Sequence, residues 1–488
     1  MYKTNIYQLF KKNYVHRIFG TAGSGKTTFL LDQLNQLFEQ GVNPNKIAFV
    51  SFTNKAVDEI VERCIQKFKQ FSPQQFTHFR TIHSMCYRTI DQSESSVIQH
   101  KELIQLARKN GMHVSSYQDI EEGAGAKQGD KIINIESLAR LKMIDIVDQW
   151  KQSNQQDCPL FLLQKWHKTL KEYKIENGLI DFTDMLEQYN TELNVDYVFI
   201  DEAQDLCPLQ WKVMNKASAK AKKVFIAGDD DQSIFNWAGA IVDFFLNIHV
   251  DEETILRHSY RLPSNIYNLS RKILARIKTR KAKECSPINK VGQIISLLNF
   301  EAIKFNKEES YYILFRNKWQ LKAIKKWLEK QGEIYYLFNK NVLETDEILA
   351  IQYWKDFKKT GNIEHRQYRK IQKYSSILQQ YHIDKLPKKI MNKKWYTILN
   401  SIPFNTMNYL KNVSKKHLFS DIPKIKLSTI HQAKGGEADN VVLFTDISYN
   451  VWNHRFDDSE HRVWYVAVTR AKKNLYIIKE QSLQYYCI

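Results

Sequence analysis

The chain has no C-x-x-C pair. Its six cysteines (Cys64, Cys86, Cys158, Cys207, Cys285, Cys487) are scattered, which argues against a zinc ribbon, an iron–sulfur cluster or a dithiol redox centre. The expectation is free, buried thiols in a reducing compartment. Long apolar runs are missing too. No stretch reaches the roughly 18 residues needed to cross a bilayer, and the N-terminus, MYKTNIYQLFKK, has no apolar signal core. Neither secretion nor membrane spanning is expected. The expected location is the cytoplasm, nucleoid-associated in a bacterium or inside the host cell for a virus. Acidic residues are in deficit: 53 Asp and Glu against 72 Lys and Arg give a net charge of +19 and a pI near 9.3. With no lipid motif or amphipathic anchor beside it, that excess favours nucleic acid over a membrane surface as the polyanionic partner.

Against this background one stretch stands out: Gly20-Thr21-Ala22-Gly23-Ser24-Gly25-Lys26-Thr27-Thr28. It follows the apolar run Val15–Phe19 and opens a helical pattern over 27–38. That is G-x-x-x-x-G-K-[ST] in its meaningful setting of strand, glycine loop and helix N-terminus. Glycines let backbone N–H groups turn toward phosphate oxygens, and the helix dipole adds positive potential. Lys26 is placed to reach the β- and γ-phosphates, and the Thr27 hydroxyl to hold Mg²⁺. A nucleoside triphosphate is the expected ligand.

The length suggests about three domains, but the pattern resolves as two α/β units, each interrupted. Runs at 15–19, 46–51 and 79–83 read as strands and 54–68 as a helix, a β-α-β alternation that predicts a parallel sheet with helices on both faces. Polar, mostly helical sequence then intervenes, with a glycine-rich loop at 123–129 and a helix over 135–150. Strand syntax resumes at 196–200 and 223–228. A second unit begins near Tyr260, with strands at 294–298, 311–315 and 333–338 and a helix at 319–331. It is interrupted between about 345 and 424 and completed by strands at 426–430, 440–445 and 474–478 and a helix over 459–471. The interruption is basic and aromatic-rich: residues 350–426 hold 17 Lys and Arg but 4 Asp and Glu. The expected parts are 1–83 and 194–259 for the first α/β domain, with 84–193 as its helical insertion. The second domain takes 260–344 and 425–488, with 345–424 as a basic insertion. No sequence repeat links the two halves.

Three further segments carry chemistry. In Val198-Phe199-Ile200-Asp201-Glu202-Ala203-Gln204-Asp205, two carboxylates end an apolar strand, where ligands of such sheets bind. Asp201 is suited to Mg²⁺ and Glu202 to orienting and deprotonating an attacking water. In Ala227-Gly228-Asp229-Asp230-Asp231-Gln232-Ser233, Gln232 is a two-ended hydrogen bonder able to sense a γ-phosphate. Trp237 follows in a Gly/Ala-rich stretch; taken alone, such a tryptophan is more often core than a stacking platform. Tyr260-Arg261 and Arg470 offer arginines for phosphoryl transfer, although sequence alone does not single them out.

Taken in order, these segments resemble the signature motifs of superfamily 1 helicases of the UvrD/Rep/PcrA type. GTAGSGKT, FVSFTNKAVDEI, FRTIHSMC, VFIDEAQD, AGDDDQSIFNWAGA, HSYRLPSNI, LSTIHQAKGGEADNVVLF and VWYVAVTRAKKNLYII follow the family's order from residue 20 to residue 478. The resemblance implies two RecA-like P-loop domains with ATP between them. It implies that Gly20 to Thr28 cradle the phosphates and that Tyr260 stacks on adenine. Arg261 and Arg470 would act as arginine fingers and Glu437 would contact ribose. Phe52, Asn54, His83 and Trp237 would line single-stranded DNA. The implied function is an ATP- and Mg²⁺-dependent helicase moving 3′→5′ on single strands and working at single-strand/duplex junctions, as a monomer by default, in repair, replication or recombination. A translocase that strips bound proteins, with little unwinding, is the alternative; a non-motor DNA-binding switch would need defective hydrolysis residues, and none is defective. The chain departs from the family pattern in three places. There is no recognisable N-terminal adenine-reading glutamine motif (Gln8 lies close to Gly20), Leu262-Pro263 follow Tyr260-Arg261, and Gly436 stands where leucine is usual.

Overall fold

Six parallel strands form the sheet of the first unit: β1 (Tyr14–Gly20), β2 (Ile47–Ser51), β3 (His78–Thr81), β6 (Tyr197–Ile200), β7 (Lys223–Gly228) and β8 (Glu252–Leu256), in the order β3-β2-β6-β7-β1-β8. The central strands β2, β6 and β7 read as nearly continuous apolar runs because both faces are covered. Successive residues feed two cores. Ile18, Phe49, Phe199 and Phe225 point to one face, while Phe19, Val50, Val198 and Ile226 point to the other. On the first face Phe79, Phe49, Phe199 and Phe225 are register partners on four adjacent strands, stacked at centroid spacings of 5.7, 6.1 and 4.5 Å. Helices Lys26–Glu39 and Asn54–Lys67 contribute Leu30, Leu34, Val57 and Ile60 to that face. The doubly wound α/β architecture expected from the sequence is present.

The computed structural model describes residues 6–90, 96–115, 127–153, 158–416, 418–479 and 482–488. They divide into two units: Met1–Gly292 with Asn453–Thr469 and Ile488, and Gln293–Trp452 with Arg470–Cys487. Within the first, the helical insertion carries a two-strand pair, β4 (Ser96–Val97) with β5 (Leu179–Ile180). Its helices include His100–Lys109, Gln128–Lys142, Ile146–Gln152 and Leu160–Glu176. The single helix expected over 135–150 is two, broken at Met143 in the left-handed region (φ 58°). The glycine-rich loop at 123–129 lies largely outside the described residues, and Gly129 itself is helical. The strand expected over 79–83 ends at Thr81, whose side chain caps a helix over Ile82–Tyr87, so His83 is helical. Also in this unit are the pair β9 (His258–Pro263) with β10 (Ser286–Ile288) and helix Asp458–Val468, buried from Glu460 onward.

The second unit has seven strands: β11 (Gln293–Leu297), β12 (Tyr311–Phe315), β13 (Tyr335–Leu337), β14 (Lys340–Asn341), β15 (Ile425–Thr429), β16 (Ala438–Phe444) and β17 (Ala471–Ile478). The order is β11-β17-β16-β12-β15-β13-β14, parallel except for the β13–β14 hairpin. Its insertion is helical, at Asp346–Thr360, His365–Lys373 and Phe404–Lys415 among others. The aromatic enrichment of that segment is structural: Trp354, Phe357, Tyr368, Trp395 and Tyr409 are buried in a local core with Ile351, Ile371 and Leu410.

Candidate nucleotide-binding site

The phosphate loop joins β1 to helix Lys26–Glu39. Gly25 holds the N-cap in the left-handed region (φ 78°), and no side chain caps the helix. Its first-turn N–H groups are therefore left for an external acceptor. Ser24 Oγ is buried with no hydrogen-bond partner among the described residues, a second sign of a missing acceptor. Lys26 is buried and donates from Nζ to the Gly20 carbonyl at 3.2 Å.

Two hard oxygens meet below the loop, Thr27 Oγ1 and Asp201 Oδ2, 3.5 Å apart. That donor pair suits Mg²⁺. Burial, and then the charge of Glu202, push the Asp201 carboxyl up to about 7 despite Lys26 nearby, the response of a site shaped for a cation. Glu202 stands at the turn out of β6 with φ 54°. A non-glycine residue costs about 1–2 kcal/mol there, and such strain gathers at functional turns. Its Oε2 accepts from Gln204 Nε2 at 2.7 Å. Gln232 Nε2 donates to Asp229 Oδ2 at 2.6 Å.

β9 hangs directly on the loop. Ser259 Oγ donates to the Ala22 carbonyl at 2.8 Å and Tyr260 N–H to the Gly23 carbonyl at 2.8 Å. Gly23 has φ 72°, and a Cβ there would collide with Cβ of Arg261. The Tyr260 ring is 73% exposed and stands 3.6 Å from where a Cβ on Gly25 would lie. Lys26, Thr27, Asp201, Tyr260 and Arg261 thus surround one loop of one unit.

A second feature of this unit is aromatic. Phe52 stacks on Phe235 (5.3 Å, 6° between planes), and Phe235 meets Trp237 edge-on at 6.1 Å. Trp237 is 60% exposed and Phe52 44%, so Trp237 is not a core residue. Asn54 is exposed at the start of its helix, and His83 packs edge-on against the exposed Phe182. Phe235 completes this array although sequence reasoning passed over it; two residues before Trp237, on the same loop, it was within reach.

A family model for the UvrD/REP helicase N-terminal domain matches residues 7–253, and one for the UvrD-like helicase C-terminal domain matches residues 317–482. The chain belongs to the UvrD/REP helicase family, of the superfamily 1 type. Among its relatives, a probable DNA helicase of Mycoplasma pneumoniae is 23% identical over 96% of this chain and 80% of its own length. A probable DNA helicase II homolog of Mycoplasma capricolum is 25% identical over 58% of this chain, and the ATP-dependent DNA helicase PcrA of Staphylococcus epidermidis 25% over 61%. The match spans 42% of the length of each of these last two relatives.

Two of the candidate site residues, Arg470 and Glu437, lie in the second unit. Arg470 is buried, and its Nη1 donates to the Gly436 carbonyl at 3.0 Å, while its own carbonyl accepts from Ala438 N–H. Glu437 is exposed and lies 3.5 Å from Lys472 Nζ. The Cβ that leucine would bring at 436 would meet the Tyr312 hydroxyl, so the glycine there fits its surroundings. No helix among the described residues is long and apolar enough to cross a membrane.

The network around these motifs was not foreseen. Gln204, fully buried, touches Glu202, Asp205, the Asp229 N–H and Ser233. Lys283 and Arg280 bind the three aspartates preceding Gln232. Gln204 lay within a recognised motif, but nothing local distinguishes Lys283 from the chain's many other lysines.

Proposed function

We propose that this chain is an ATP-driven DNA helicase that moves 3′→5′ along single strands and opens duplex ahead of it. The observation that carries the reading is the gathering of Lys26, Thr27, Asp201, Tyr260 and Arg261 about one glycine loop, with Glu202 next to Asp201. Phosphates bind the open N–H groups of the loop and Lys26; Thr27 and Asp201 hold Mg²⁺, which when bound neutralises phosphate charge. Glu202 orients and deprotonates the attacking water, and Gln232 reads the γ-phosphate. Arg261 and Arg470 neutralise charge on the γ-oxygens, Glu437 bonds ribose, and the open ring of Tyr260 stacks on adenine. The exposed rings of Phe52 and Trp237, with Asn54 and His83, hold bases without reading sequence.

A second reading, a single-strand translocase that displaces bound proteins, is favoured by the second insertion, where Trp354, Phe357, Tyr368, Trp395 and Tyr409 are buried in its own core. The test is strand separation with ATP on two duplexes, one with a 3′ and one with a 5′ single-stranded tail. Opening of the 3′-tailed duplex alone supports the proposal, and opening of only the 5′-tailed one overturns the polarity. If neither opens while single strands stimulate hydrolysis, the translocase reading takes over.

A further inference from the structure

Three consecutive aspartates in a buried loop would repel one another and unfold it unless matched by cations. Asp229, Asp230 and Asp231 are all fully buried, and their carboxylates lie close enough together to suggest a metal site. A side chain already fills that role. Lys283, itself buried, places Nζ 3.0 Å from Asp229 Oδ1, 3.0 Å from Asp231 Oδ2 and in contact with Asp230 Oδ1. Arg280 adds a two-pronged pair to Asp231, 2.7 Å at each oxygen. Burial works against the Lys283 charge, yet the three carboxylates outweigh it and hold its pKa raised.

The other side of Asp229 faces the chemistry. Its Oδ2 accepts from Gln232 Nε2 at 2.6 Å, and its N–H donates to Gln204 Oε1 at 2.9 Å. Gln204 in turn donates from Nε2 to Glu202 Oε2 at 2.7 Å. A substituent added at Gly228 would strike that Gln204 oxygen (2.5 Å), so the junction has no slack. The segment leading to Lys283 is itself anchored: Asp458 accepts from Lys278 and Thr279 N–H at 2.9 and 2.8 Å, and Arg462 donates to the Thr279 carbonyl.

We propose that Lys283 is a positioning residue for hydrolysis, holding Asp229 so that Asp229 fixes the Gln232 amide and, through Gln204, the carboxylate of Glu202. The inference rests on the reading of Glu202 and Gln232 as hydrolytic groups. A displacement of about 1 Å in such groups costs on the order of 100-fold in rate, so loss of Lys283 acts on kcat rather than on nucleotide affinity.

The experiment compares four full-length proteins: wild type, Lys283→Met, Gln232→Ala and the double variant, each assayed for ATP hydrolysis with saturating oligothymidylate. The expected result is a fall in kcat of about 10-fold or more for Lys283→Met, with KM for ATP little changed. The double variant should be slowed by clearly less than the product of the two single losses, because part of the Lys283 effect runs through the Gln232 amide and the rest through Gln204 and Glu202. Equal kcat for Lys283→Met and wild type, or losses that multiply in the double variant, overturns the inference, since a merely structural lysine would give independent losses. If Lys283→Met does not fold, Asp229→Asn, which leaves Lys283 paired with Asp230 and Asp231, takes its place and must meet the same two criteria. An inert Gln232→Ala would sink the reading of Gln232 as a γ-phosphate sensor, and this inference with it. An active wild type slowed by Gln232→Ala but not by Lys283→Met sinks only the inference.

Discussion

Replacing Trp237 by alanine separates DNA binding from folding and from chemistry. The ring is 60% exposed and meets Phe235 edge-on at 6.1 Å. Such a pair contributes about 0.5–1.5 kcal/mol, and each kcal/mol moves the melting temperature of a unit this size by roughly 2–4 °C. The expected stability loss is therefore a few degrees at most. Stacking of a base on an aromatic ring is larger, about 1–3 kcal/mol, which corresponds to roughly 5- to 150-fold in Kd. The change is read by fluorescence anisotropy of a labelled oligothymidylate at one fixed salt concentration, because phosphate contacts make any such Kd salt-dependent. Phosphate release is followed in parallel, with and without DNA. Hydrolysis without DNA should keep its rate, since the ring lies outside the loop around Lys26, while the DNA concentration for half-maximal stimulation rises with Kd. Trp237→Phe should recover part of the loss. An unchanged Kd in a folded Trp237→Ala protein would remove the ring from the DNA path; a melting drop well beyond a few degrees would return it to a structural role.

Lys26→Ala should lower kcat by about 10²–10³, the cost of one lost donor to developing transition-state charge, and leave single-strand binding intact; anisotropy beside a phosphate-release assay checks both halves. Gly23→Ala forces a left-handed residue, costing about 1–2 kcal/mol, and drives a methyl into Arg261. It should weaken binding of a fluorescent ATP analogue and slow hydrolysis together, because β9 hangs on this loop. His431 gives a pH test: burial first, then the charges of Arg316 and Lys434, lower its pKa from 6.5 to about 3. The unfolded chain therefore binds the extra proton between those values, so the contribution is complete above pH 6.5 and falls by about 1.4 kcal/mol per unit as pH drops below it. Between pH 7 and 5 the melting temperature should drop more steeply for wild type than for His431→Gln; parallel slopes would refute the assignment.

The sequence by itself determined the sheets and the nucleotide loop. Strands buried on both faces must be continuous apolar runs, and a glycine loop before a lysine and threonine leaves little freedom about where the helix starts. Asp201 and Glu202 were legible for the same reason: they end such a run. Local pattern could not tell whether an aromatic is buried or exposed, because that depends on what packs over it. The tertiary structure therefore decided that Trp354, Phe357, Tyr368, Trp395 and Tyr409 of the second insertion are core while Trp237 is open, and set Phe235 between Phe52 and Trp237. It also decided where isolated ionisable residues act. Lys283 lies more than fifty residues from the aspartates it neutralises, and only folding brings its ammonium into their buried loop.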